Sequence, residues 1–132
     1  QKNGGAGQWV KGKSFDTFCP FGPVLVTPDE VGDPQDLSVE CILNGKTLQK
    51  GHTSDMIFSV AQIIAYLSQS ATLLPGTLIL TGTPSGVGYT RNPPVYLTPG
   101  DVMKTRIEKM GVLENTVVLE NTVVLEDAAV TG

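Results

Sequence analysis

Two stretches of this chain alternate apolar and polar residues at period two, and a third carries the helical period. LSVECIL, Leu37 to Leu43, sets Leu37, Val39, Cys41 and Leu43 against Ser38, Glu40 and Ile42, the pattern of a strand with one covered face. Asn44-Gly45 follows and suits a two-residue hairpin turn, because both central positions need positive φ. KTLQK is then the returning strand. Further on, VMKTRIEK turns Met103, Thr105 and Ile107 inward and Lys104, Arg106 and Glu108 to water, with TPGD as the turn before it and Met110-Gly111 turning into VLENTVV after it. In SVAQIIAYLSQSATLL, Ser59 and Gln62 form a capping box, and Val60, Ile63, Ile64 and Leu67 share one face, which predicts one main helix over about 60–70. PVLVT, Pro23 to Thr27, and TLILTG, Thr77 to Gly82, read as short apolar strands, and Val95 to Leu97 as a short extended piece. With glycine and proline recurring about every ten residues, the expected fold class is α+β, predominantly β.

Composition narrows the function classes. The chain has 132 residues, 40% of them hydrophobic and 17% charged, which fits one globular domain with a core. A net charge of -4 argues against a nucleic-acid partner. No apolar run approaches the ~20 residues of a membrane span, and no signal segment opens the chain, so neither a membrane nor secretion is expected. Cys19 and Cys41 are too few for a disulfide scaffold. The expected setting is intracellular and reducing, with each cysteine a small buried hydrophobe. The single histidine, His52, makes a structural zinc site an unsuitable reading and fits a surface or cap role, while Asp55 reads as local turn chemistry.

GQWVKGKS, Gly7 to Ser14, fits the letters of a phosphate loop. Its flanks do not. The polar, glycine-rich QKNGGA cannot form the preceding buried strand, and Pro20 and Pro23 prevent a sustained helix from starting at Ser14. Trp9 and Val10 also put bulk where such a loop is small. A nucleotide is therefore not the expected ligand.

Near the end, LENTVV at Leu113 to Val118 is copied in tandem at Leu119 to Val124. An even-numbered copy preserves which residues face inward on a strand, and two six-residue units are too short for a solenoid. Glu114, Glu120 and Glu126 would lie about 20 Å apart along one extended strand, too far to share an ion. The copy reads as a duplication with no chemistry of its own.

Three pieces together, KGKSFDTFCPFGP, TSDMIF ahead of the helix, and PGTLILTGTPSGVG followed by PPVYLTPGD, resemble the C-terminal catalytic domain of the fumarylacetoacetate hydrolase family, closest to its domain-containing members. The resemblance covers residues 1–118 as a partial catalytic domain and leaves 119–132 as a repeat-bearing tail. It implies an incomplete mixed β-sheet roll. It also implies an enzyme acting on 2-oxo or 1,3-dicarbonyl acids by C–C bond hydrolysis, decarboxylation or keto–enol isomerisation. In that family a divalent cation, Mg²⁺ or Mn²⁺, stabilises an enolate.

Carried onto this sequence, the resemblance gives Lys13 a catalytic role, facing the anionic substrate or intermediate, with Thr17 near the same cavity. Thr83, with Gly82, holds the substrate's carboxylate, and Gln1 also stands near substrate. The family's metal ligands, a glutamate pair spaced E-x-E and an aspartate, lie upstream of the G-K-S-F segment, and no E-x-E occurs among these residues. Its acid–base residues lie on an N-terminal lid. The expectation is thus half of a site without a metal cage: a fragment or a truncated product that is inactive and metal-free alone and assembles as a homodimer or swapped pair. The alternative expectation is a non-catalytic remnant that serves as a folding or assembly module.

Overall fold

In the computed structural model of the protein, residues 9–119 are described, and they form an α+β arrangement that is mostly β. Four strands, β1 (Ser38–Leu43), β2 (Lys46–His52), β3 (Val102–Ile107) and β4 (Gly111–Thr116), make one sheet in the order β2-β1-β3-β4, and every pairing within it is antiparallel. The helices are α1 (Trp9–Lys13), α2 (Pro28–Val31) and α3 (Val60–Leu67).

Local chemistry accounts for the elements that alternation and capping predict. Asn44 and Gly45 adopt φ of 49° and 80°, the left-handed pair that a tight hairpin between β1 and β2 requires. At α3, Ser59 Oγ accepts from the Gln62 N–H at 3.2 Å and Gln62 Oε1 accepts from the Ser59 N–H at 2.8 Å, so the capping box is present. The Val60 N–H, another orphan donor of that terminus, reaches Gln35 Oε1 at 2.7 Å. Gln35 Nε2 in turn donates to the Thr53 carbonyl at 2.9 Å. His52 caps a 3-10 turn, Thr53–Asp55, with Nδ1 accepting from the Ser54 N–H, which is the cap role its position suggests.

The sheet has a charged face and an apolar face. On the first, Glu40 lies between Lys50 (3.4 Å) and Arg106 (3.5 Å), and Lys104 meets Glu114 at 2.8 Å; these exposed pairs are worth little stability individually. Met103, Thr105 and Ile107 are half-buried on the other, as their alternation predicts. The deepest apolar side chains are Leu37 and Val31, 2% and 5% exposed. Leu37 enters β1 and is anchored through its backbone, donating to Thr53 Oγ1 at 3.0 Å and accepting from the Thr53 N–H at 2.9 Å.

Two strand expectations and one cysteine expectation are corrected. Pro23 to Thr27 is not a strand, and Leu25 is 99% exposed. Thr77 to Gly82 is likewise outside the sheet, with Leu80 76% exposed. Val95 to Leu97, expected only as a short extended piece, lies in no strand of the sheet. Apolar content marked the first two runs as strands, yet a strand is defined by a partner, and β1 and β3 already have both neighbours. Cys19 is exposed and not a buried hydrophobe, whereas Cys41 in β1 is half-buried, and burial pushes its thiol pKa up. Beyond Leu119 the second LENTVV copy lies outside the described residues. Among the described residues no helix is long and apolar enough to cross a membrane.

Candidate carboxylate-binding loop

The Gly-Lys-Ser letters of the opening motif stand at the wrong end of a helix for phosphate. α1 ends at Lys13, and the Ser14 hydroxyl donates back to the Val10 carbonyl at 2.6 Å. A helix C-terminus presents carbonyl oxygens, and anions bind at N-termini. Lys13 is the exposed last residue of α1. Thr17 follows in a turn closed by the Phe18 N–H on the Phe15 carbonyl at 3.1 Å, with φ of 64°. A β-branched residue there is a backbone outlier, and such strain gathers at functional positions.

Gly82 and Thr83 lie in a second segment, the loop TGTPSGVG that runs from Thr81 to Gly88. Gly82 has φ of 113°, and a Cβ placed on it would meet nothing within 4 Å, so the backbone faces open space that an anion can enter. The rest of the loop is pressed onto β2. A Cβ on Gly51 would come within 2.8 Å of Pro84, and one on Gly86 within 2.7 Å of the Leu48 carbonyl. Glycine is what allows these approaches.

Side chains fix the loop in place. Gln49 Nε2 donates to Thr83 Oγ1 at 2.8 Å and to the Pro84 carbonyl at 2.7 Å. Arg91 donates through Nε to the Gly86 carbonyl at 3.0 Å and through Nη2 to the Leu48 carbonyl. The strand makes both contacts possible by a bulge. Gln49 pairs with Cys41 and Thr47 with Ile42, which leaves Leu48 as the extra residue of β2. Consecutive residues Leu48 and Gln49 thus line the same apolar cavity of about 160 Å³, between the sheet's apolar face and Gly86, Gly88 and Val95.

The residues singled out from sequence are therefore placed on two segments: Lys13 and Thr17 on α1 and the turn after it, Gly82 and Thr83 in the loop. Gln1 lies outside the described residues. Gln49 and Arg91 were missed. Gln49 reads as one more polar position of a returning strand, and the bulge that turns it toward the loop leaves no local signal. As for the divalent cation, no group of three His, Cys, Asp or Glu side chains converges among the described residues, so these residues do not fit a metal and no chemical step here is routed through one. What the loop can do is hold an anion by a hydroxyl and by glycine backbone.

Comparison with known proteins points to one family. The family model described as fumarylacetoacetate (FAA) hydrolase C-terminal matches residues 1–118. The 2,4-didehydro-3-deoxy-L-rhamnonate hydrolase of Sphingomonas sp. (strain SKA58) is 57% identical over 111 residues, 83% of this chain and 39% of that protein. The human mitochondrial oxaloacetate tautomerase FAHD2A is 52% identical over 110 residues, 83% of this chain and 35% of that protein. Among solved structures, the fumarylacetoacetate hydrolase of Exiguobacterium antarcticum superposes with a TM-score of 0.81 at 48% identity, covering 83% of this chain and 39% of that one. The maleylpyruvate hydrolase of Sphingobium sp. SYK-6, in complex with manganese (II) ion and pyruvate, superposes with a TM-score of 0.73 at 38% identity, covering 81% and 38%. The chain thus spans under two fifths of the length of these relatives.

Proposed function

The chain belongs to the fumarylacetoacetate hydrolase family, and on that premise we propose that it supplies the carboxylate-holding part of an enzyme acting on 2-oxo or 1,3-dicarbonyl acids. Its relatives are named hydrolases and tautomerases, and C–C bond hydrolysis, decarboxylation or keto–enol isomerisation through an enolate is the proposed reaction class. Thr83 and Gly82 hold the substrate's carboxylate. Lys13 offers an ammonium to the negative charge that develops on the oxo oxygen, with Thr17 beside it and Gln1 as a further substrate contact. Mg²⁺ or Mn²⁺ would supply Lewis-acid charge in the whole enzyme, its carboxylate ligands coming from outside residues 9–119. Cytoplasmic or mitochondrial placement is proposed with it, the human relative being mitochondrial.

One observation carries the reading. Gln49 Nε2 has no lone pair, so Thr83 Oγ1 can only accept from it, and the Thr83 hydroxyl proton is left to be donated elsewhere. A hydroxyl so polarised, next to open glycine backbone, is matched to a carboxylate. Calorimetric titration with oxalate, with and without Mn²⁺, tests it. Weak oxalate binding that Mn²⁺ does not tighten and that Thr83→Val reduces is the expected result. Oxalate binding indifferent to Thr83→Val would remove the basis for the assignment.

A second reading, an assembly module without catalysis of its own, is favoured by the apolar surface left uncovered at Phe21, Leu25, Ile57 and Leu80. Under it the chain pairs with a second copy as a homodimer or swapped assembly. Sedimentation as a dimer at micromolar concentration supports that pairing, and a monodisperse monomer contradicts it.

A further inference from the structure

We propose that Gln49 is a positioning residue for this site: it sets the polarity and direction of the Thr83 hydroxyl so that its proton is presented to the substrate's carboxylate. The inference rests on the loop being the carboxylate site.

The argument begins with the acceptors around one nitrogen. Gln49 Nε2 faces Thr83 Oγ1 at 2.8 Å, the Pro84 carbonyl at 2.7 Å and the Ser85 carbonyl at 3.5 Å. Carbonyls only accept, so the amide nitrogen, and not the amide oxygen, must occupy this place. With its orientation forced by the two carbonyls, the same NH₂ group presents its other hydrogen to Thr83. The threonine is thereby made a donor. Without Gln49 its hydroxyl can rotate, and nothing on β2 selects the donating orientation.

Strand geometry delivers the amide. The extra residue Leu48 breaks the alternation of β2 and puts Gln49 over the apolar face on which the loop lies. The Leu48 carbonyl, released from regular pairing, accepts from Arg91, whose Nε also holds the Gly86 carbonyl. The loop is thus pinned at both ends: by Gln49 at Thr83–Pro84 and by Arg91 at Gly86. Positive φ at Gly82 and Gly86 lets the chain turn at each pin.

The test uses the whole 132-residue chain, ¹⁵N-labelled and titrated with pyruvate to about 100 mM, following backbone and side-chain amides. In the wild type the Gly82 and Thr83 amides and the Gln49 side-chain NH₂ are expected to shift together with one Kd. Thr83→Val should weaken pyruvate about tenfold, the value of one hydrogen bond to a charged group. Gln49→Glu is nearly the same size but can only accept when ionised, so it draws the Thr83 proton to itself and should weaken pyruvate at least as much, while β1 and β3 amides keep their positions. A Gln49→Glu chain that binds pyruvate like wild type, beside a weakened Thr83→Val chain, overturns the role of Gln49 and leaves the carboxylate site standing. Should Gln49→Glu fail to fold, the wild-type titration decides: a Gln49 NH₂ that stays still while Thr83 moves overturns the inference. Wild-type affinity in Thr83→Val, or no shifts at Gly82 and Thr83 at all, overturns the site and this inference with it.

Discussion

Asn44 Nδ2 donates to Asp101 Oδ1 at 2.8 Å, and the same side chain's Oδ1 accepts from the Val102 N–H at 2.9 Å, so the hairpin turn between β1 and β2 is strutted against the turn that opens β3. The Asp101 carboxylate also accepts from the Thr98 N–H at 2.8 Å. That backbone bond first, and Asn44 second, hold its pKa below the ordinary 3.8. Glu108 is lowered from 4.5 in the same way, chiefly by the Ser38 N–H at 3.0 Å.

Acid should therefore loosen the sheet. Both carboxyls bind fewer protons folded than unfolded, so their contribution is present above their ordinary values and is lost as pH falls through the lowered ones. Urea midpoints should drop between pH 5.5 and pH 3, and Asp101→Asn should lower the midpoint at pH 7 while flattening that acid slope. An Asp101→Asn chain with an unchanged acid slope would show that this carboxyl does not contribute to it.

The core is small, and its loss should be disproportionate. Leu37→Ala removes a side chain 2% exposed and is expected to cost about 2–5 kcal/mol, whereas Leu25→Ala, at 99% exposed, should stay within about 0.5 kcal/mol. Equilibrium urea unfolding of the two variants side by side measures the contrast; equal costs would contradict the burial described here.

Gly88→Ala tests the close approach at the end of the Thr81–Gly88 loop. A Cβ there would collide with the Val95 carbonyl oxygen, a backbone atom that cannot swing aside, and the Val95 N–H donates to the Gly88 carbonyl at 2.9 Å. Destabilisation of about 1–3 kcal/mol is expected, read as a fall in Tm on calorimetry. Unchanged melting would mean that the two segments do not lie this close.

Thr17 stores strain that asparagine should relieve. At φ of 64° a β-branched side chain crowds its own backbone, and asparagine tolerates this region far better. Thr17→Asn is expected to raise stability by about 0.5–1 kcal/mol, read as a higher urea midpoint. A variant less stable than wild type would contradict the strained turn.

What the chain's letters reveal about its structure depends on how local the cause is. Asn44-Gly45, the Ser59/Gln62 capping box and the alternation of Met103, Thr105 and Ile107 each draw on neighbours a few residues away, and each was legible. PVLVT and TLILTG were misread because apolar runs say that a segment wants cover, not that a strand lies beside it. Within the candidate site, Gly82 and Thr83 were named through resemblance alone. Gln49 was invisible because its role depends on a bulge one residue earlier and on a loop more than thirty positions later. Cys19 shows the same limit from the other side: a small sulfur residue carries no local mark of whether the surrounding chain will enclose it.

The surplus residue in β2 gives the hairpin a second task. Deleting Leu48 would restore an unbroken ladder beside β1 and would look, by sheet criteria alone, like an improvement. The glutamine would stay opposite Cys41, but the carbonyl that anchors the arginine would be gone, and the loop would lose the pin at Gly86's side of the strand. Irregularity at this one position is what couples a passive framework to the Thr81–Gly88 loop above it.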